Sequence, residues 1–167
     1  MSKLVLTLFA GLVALGIANA QIKVAVITSQ KAILETDDLK KAQVELTAKY
    51  KPRQDQLEKL QKDLQDIQNQ LQSGKLNQLG EQELNAQGQR KQRELQRLQQ
   101  DLQEDADRDR NDILQRAGTR MQEVVRKLAD EKGLDLVVDS ATTLFFKATL
   151  DLTADAITSY NKANPVK

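Results

Sequence analysis

Four aspartates towards the C-terminus, Asp135, Asp139, Asp151 and Asp155, come nearest to residues whose type and spacing could do chemistry. Two carboxylates flanking a scissile bond would be the machinery of general acid–base hydrolysis. Their contexts point elsewhere. Asp135 falls on the wet face of an apolar strand, Asp139 begins a turn, and Asp155 sits in the first turn of a helix, where it complements the macrodipole. The run Glu104 to Asp112 offers enough oxygens for a cation, but calcium needs a tight loop in which they converge, and a continuous helix splays them around its axis. A solvated helical segment is the better reading. Gly74-Lys75 is followed by Leu76 and has no upstream glycine at phosphate-loop spacing, so nothing here cradles ATP. Histidine and cysteine are both absent from the 167 residues, which removes the commonest general base and the commonest neutral metal ligand. The expectation is a protein that is not an enzyme and uses no cofactor or metal. Without disulfides, its stability must come from packing and assembly.

Arg90, Arg93 and Arg97 share one helical face, with Lys91 nearby. Such a face suits lipid headgroups, as in peripheral membrane contact, or acidic segments of a client chain. If the helix folds back on its neighbour, the same arginines lie roughly opposite Glu58, Asp63 and Asp66, and pairing across an arm is the simpler role. Exposed pairs of that kind contribute about 0–1 kcal/mol each. The 25 basic residues against 24 acidic give no electrostatic footprint for nucleic acid. Glutamines crowd the stretch from Gln54 to Gln103. They either offer an unfolded chain a long, uncharged, hydrogen-bonding surface or merely keep a good helix soluble, and both readings stand.

The elements that position these residues follow from periodicity. Leu39, Leu46, Arg53, Leu60 and Ile67 recur every seventh residue, and Tyr50, Leu57, Leu64 and Leu71 form the interleaved lane of the same heptad. After an interruption at Ser73 to Gly80, Leu84, Lys91, Leu95, Leu98 and Leu102 repeat the 4-3 spacing, so the two stretches can zip antiparallel into a hairpin. Thr36, Asp37 and Asp38 form the start signal of the rising helix. Pro52 inside it predicts a kink or break near Lys51; Pro52, Gly80 and Gly88 are the hinge candidates. The falling helix, from about Gln82 to Lys132, broadens at its end into the apolar face Ile113, Ala117, Met121, Val124, Val125 and Leu128. Gly133 is its expected left-handed cap.

The flanks are different in kind. Lys3 followed by the apolar run Leu4 to Ile17, with Ala18-Asn19-Ala20 before Gln21, reads as a cleavable export signal. A single soluble domain over 21–167 is then expected, with a body from 21–50 and 113–167, an arm over 51–112 and a tip near 73–80. Ile22, Val24 and Val26 mark a first strand, and Ser29 is placed to cap a short helix after it. Leu134, Leu136, Val137 and Val138 mark a second strand, and Leu144 to Lys147 a third. Thr153 is the expected cap of a last helix. Three short strands make a poor independent sheet, and their edges need partners. The fold class is therefore α+β: a long antiparallel coiled-coil hairpin projecting from a small β body that is completed by oligomerisation. Ile22, Val24, Val26, Leu134, Leu136, Val137 and Val138 are the candidate interface. Leu57, Leu60, Leu64, Ile67, Leu71, Leu84, Leu95, Leu98 and Leu102 are the arm's seam.

Leu134-Asp135-Leu136-Val137-Val138-Asp139 after the long helix, Asp151-Leu152-Thr153-Ala154-Asp155 opening the last, Lys23 to Ile27, and Arg93 to Leu102 together resemble the OmpH/Skp family of periplasmic chaperones, over essentially the whole chain after the signal. The resemblance implies a periplasmic homotrimer whose three helical tentacles surround a cavity and hold unfolded outer-membrane proteins. The chain departs from the best-known members, which are basic, in being nearly neutral, and binding of acidic lipid or lipopolysaccharide does not carry over on that account. The rival expectation is a structural coiled coil or adaptor that docks a fixed partner through the hairpin tip.

Overall fold

The computed structural model describes residues 22–166; the expected export signal and its cleavage site lie outside them. The order is β1 (Val24–Ile27), α1 (Ser29–Leu34), α2 (Asp37–Gln72), α3 (Gln78–Lys132), β2 (Leu136–Asp139), two short 3₁₀ turns (Ser140–Thr142 and Ala148–Leu150) and α4 (Thr153–Ala163). β1 and β2 pair in parallel, Val24 opposite Leu136 and Ile27 opposite Asp139. The whole helical hairpin is thus the crossover between two neighbouring strands. On the other side of β1, Val26 bridges Asp151, and the Leu152 amide donates to the Val26 carbonyl at 2.8 Å.

The core lies where the end of α3 meets this sheet, α1 and α4. Ala25, Ile27, Ala32, Met121, Val124, Leu128, Leu152, Ala156 and Tyr160 are buried in one cluster. Thr36 accepts from the Leu39 amide and starts α2 as its sequence signals. Gly133 takes φ 60° at the end of α3, and the Leu134 amide returns to the Ala129 carbonyl at 2.9 Å, which satisfies orphan carbonyls of the last turn.

Several local expectations are corrected. The segment Leu144 to Lys147 is not a strand. Its apolar, aromatic composition fits a pleated, half-buried surface, but in this chain Leu144 and Phe145 stand fully or mostly exposed and find no strand to pair with. Ser29 does not cap α1; it is the first helical residue, and it faces Asp139 at the end of β2, where its hydroxyl and amide help hold that carboxyl below the usual range. Thr153 likewise begins α4 without capping it. Its amide donates to Asp151 at 2.9 Å, and its hydroxyl accepts from the Thr28 amide at 2.9 Å. Each aspartate sits at a chain reversal where its carboxylate reaches donors that a helix start leaves free. α2 is continuous through Pro52, so no break occurs there. α3 begins four residues earlier than expected because Asn77 caps it, accepting from the Gly80 amide at 2.8 Å; Gly80 therefore lies in the first turn of a helix and not in the loop.

Candidate functional site

α2 is 36 residues long and α3 is 55; at 1.5 Å per residue they span roughly 54 and 82 Å. Side-chain pairs 38–120, 53–105 and 63–91 place them side by side in opposite directions. The arm is their shared seam. Leu60, Ile67 and Leu95 are buried, Leu57, Leu64, Leu71, Leu84, Leu98 and Leu102 are half-buried, and most side chains between them face water.

Polar rungs interrupt the leucines. The Tyr50 hydroxyl donates to Asp109 at 2.6 Å, Lys49 reaches the same carboxylate, Arg53 donates to Asp105 at 2.6 Å, and Lys91 donates to Asp63 at 2.6 Å. The hydrogen bonds from Lys91, Arg53 and Lys49 hold Asp63, Asp105 and Asp109, respectively, below the usual carboxylate range, while burial pushes the Tyr50 hydroxyl up. Two of these rungs come from the charged run Glu104 to Asp112, which the sequence presents as merely solvated. A carboxylate whose folded pKa is depressed stabilises above its unfolded pKa of about 4, and that contribution is lost as pH falls through the folded value. The arm's thermal midpoint, followed by circular dichroism, is therefore expected to drop chiefly below about pH 4, and the drop should shrink in high salt. A flat midpoint between pH 5 and pH 2.5 would show that the rungs contribute nothing.

Arg90, Arg93 and Arg97 are exposed, and the expected cross-arm pairing is not made. Lys91 takes Asp63, Arg97 turns to Asp101 on its own helix at 3.5 Å, and no ion pair joins Arg90 or Arg93 to a described residue. The reason is register: position 91 faces the seam, and 90, 93 and 97 lie outside it. The four candidate acids are likewise engaged structurally. Asp135 accepts from the Lys23 amide at 2.8 Å, Asp139 from the Ala141 amide at 2.8 Å, Asp151 from Thr153, and Asp155 pairs with Lys132 at 2.8 Å. Of the candidate interface residues, Val26 is 2% exposed and buried within its own chain, so its side chain is not available to a second copy. Leu134 and Val137 pack against the core, Val24 and Val138 are half-buried, and Ile22 and Leu136 face solvent.

Sequence reasoning missed one seam residue. Gly88 lies four residues after Leu84 and three before Lys91, a heptad position read there as a hinge. α3 runs straight through it, and a Cβ added there would meet the Ile67 side chain at an ordinary contact distance of 3.4 Å. Gly88→Ala should therefore fit and raise arm stability by about 0.5–1 kcal/mol through the lost cost of helical glycine. Urea unfolding checks this, and a destabilised variant would mean the contact is tighter than described.

A family described as outer membrane protein (OmpH-like) matches residues 23–160. A Skp-like protein of Pseudomonas aeruginosa is 26% identical over 147 residues, covering 87% of this chain and 88% of that one. The crystal structure of an OmpH-like chain from Caulobacter crescentus, described as an outer membrane chaperone, superposes with a TM-score of 0.74 at 15% identity over 89% of each chain. That likeness establishes a shared fold.

Proposed function

The chain belongs to the OmpH-like family, and on that premise we propose that it is an ATP-independent holdase of the periplasm, a homotrimer that encloses unfolded outer-membrane proteins until they insert. The observation that carries this reading is the arm. Two long helices keep a thin seam to themselves and turn outward a surface of glutamine and mixed charge, with no cluster of groups arranged for a reaction. Client binding then rests on many weak contacts summed over several arms. Exposed Arg90, Arg93 and Arg97 add a place for acidic client segments or anionic headgroups.

Assembly is supported by what one chain leaves open. β2 has β1 on one side and no strand on the other among the described residues, and Ile22, Leu136, Leu144 and Phe145 expose 70%, 50%, 107% and 81% of their surfaces. Unpaired edges beside exposed apolar side chains are the usual marks of an interface. An adaptor reading has one observation in its favour, Leu79, 72% exposed beside the hairpin tip. The deciding experiment mixes the protein, without nucleotide, with a urea-unfolded outer-membrane barrel on dilution, while light scattering reports aggregation and the chaperone's mass. A trimer that suppresses aggregation is the expected result. A folded monomer, or a trimer that leaves aggregation unchanged, would overturn it.

A further inference from the structure

Near the tip the seam lacks a knob. Where the heptad of α3 calls for a side chain between Leu84 and Lys91 it has Gly88 beside Ile67, and a shallow hollow of about 490 Å³, wide open to solvent, runs there along the two helices. Leu64, Ile67, Leu71 and Leu95 form its floor. Its walls are the amides of Gln61, Gln65, Gln68, Asn85, Gln89 and Gln92. In a chain of which 29% is charged, none of the eleven residues lining this hollow carries a charge. Gln65 bonds Asn69 and Asn85 bonds the Glu81 carbonyl; Gln61, Gln68, Gln89 and Gln92 make no hydrogen bond to a described residue.

We propose that the Gly88 hollow binds an extended, uncharged segment of an unfolded chain in which apolar and polar side chains alternate, as in the strands of a membrane β-barrel; the proposal rests on the holdase reading above. An extended segment presents unpaired backbone N–H and C=O groups along its sides and apolar side chains on one face. A side-chain amide both donates and accepts, so it matches either backbone group without a charge, and the leucine floor takes the apolar face. Charged walls would select charged partners. Neutral ones favour segments whose composition suits a bilayer.

The test uses the full chain, a urea-unfolded outer-membrane barrel, and two synthetic peptides, one alternating Val and Ser and one alternating Val and Glu. Gly88→Leu supplies the missing knob, and Gln61→Glu/Gln68→Glu/Gln89→Glu/Gln92→Glu charges the walls without touching the seam. A charge-matched set, Gln30, Gln43, Gln115 and Gln122 each changed to Glu, reports the effect of net charge alone. The native chain should bind the Val/Ser peptide and not the Val/Glu one. Both hollow variants should lose at least tenfold in affinity, while the charge-matched set changes less than twofold. If Gly88→Leu disturbs the helices by circular dichroism, the wall variant decides. Equal peptide binding by native and wall variants would overturn the site, as would a photo-crosslinker at Gln92 that captures a second copy's arm in place of client. A native chain that protects the barrel but binds neither peptide defeats this inference alone, whereas one that fails to protect the barrel defeats the holdase reading itself.

Discussion

Excising residues 57–98 and joining the stubs by a short linker is expected to abolish protection of unfolded clients while leaving the body folded and assembled. The excised segment begins and ends at two half-buried seam positions, Leu57 and Leu98, on the tip side of the Arg53–Asp105 rung. Every member of the core cluster lies outside the excised segment. The rungs Tyr50–Asp109, Arg53–Asp105 and Asp38–Arg120 also survive, so the stump keeps its pairing. What disappears is the glutamine-rich length of the arm and the Gly88 hollow. Single alanine substitutions at Gln65, Gln68 or Gln96, by contrast, should change client affinity only slightly, because multivalent binding spreads over many contacts. An armless body that suppressed aggregation as well as the full chain would refute enclosure and reassign the hairpin to docking.

The largest effect on stability is expected at Tyr160. Its side chain is fully buried on α4 within the core cluster, and its hydroxyl donates to Asp38 on α2 at 3.1 Å. Arg120 on α3 donates to the same carboxylate at 2.9 Å. One residue thus ties the last helix to both helices of the arm at its root. Truncation of a buried aromatic side chain costs about 3–5 kcal/mol, a large share of the roughly 5–15 kcal/mol that holds a domain together. Tyr160→Ala should therefore cost about that much in urea unfolding, and Tyr160→Phe, which keeps the ring and loses the hydroxyl bond, about 1 kcal/mol. A loss under 1 kcal/mol for the alanine variant would mean that α4 does not seal the core.

The hairpin was legible because its signals are local. A heptad needs only one helix to be read, Thr36 with its two aspartates starts α2 within four residues, and Gly133 stops α3 by a backbone requirement no neighbour can change. The misreadings share a different cause. Ser29 and Thr153 carry sound local propensities, but the groups that decided their roles, Asp139, Asp151 and Thr28, lie elsewhere in sequence or in the facing turn, while Leu144 to Lys147 have strand propensity and no strand to pair with among the described residues. Gly88 was visible in the heptad count yet read as a weak point, since a glycine in a sequence looks like lost stability and only the approach of Ile67 turns it into a packing position.

By itself the sequence determined two long antiparallel helices, their leucine lanes, the helix starts and stops at Thr36 and Gly133, and the absence of histidine and cysteine chemistry. Each of these follows from residue type and spacing along one chain. The tertiary structure alone decided that β1 and β2 pair in parallel across the hairpin, that Asp63, Asp105 and Asp109 form rungs while Arg90 and Arg93 stay outside the seam, that Val26 is sealed within its own core, and that a neutral hollow opens beside Gly88. Those outcomes depend on the rotation and register of one helix against another. A periodic pattern fixes which residues share a face, but only the packed partner fixes what that face meets.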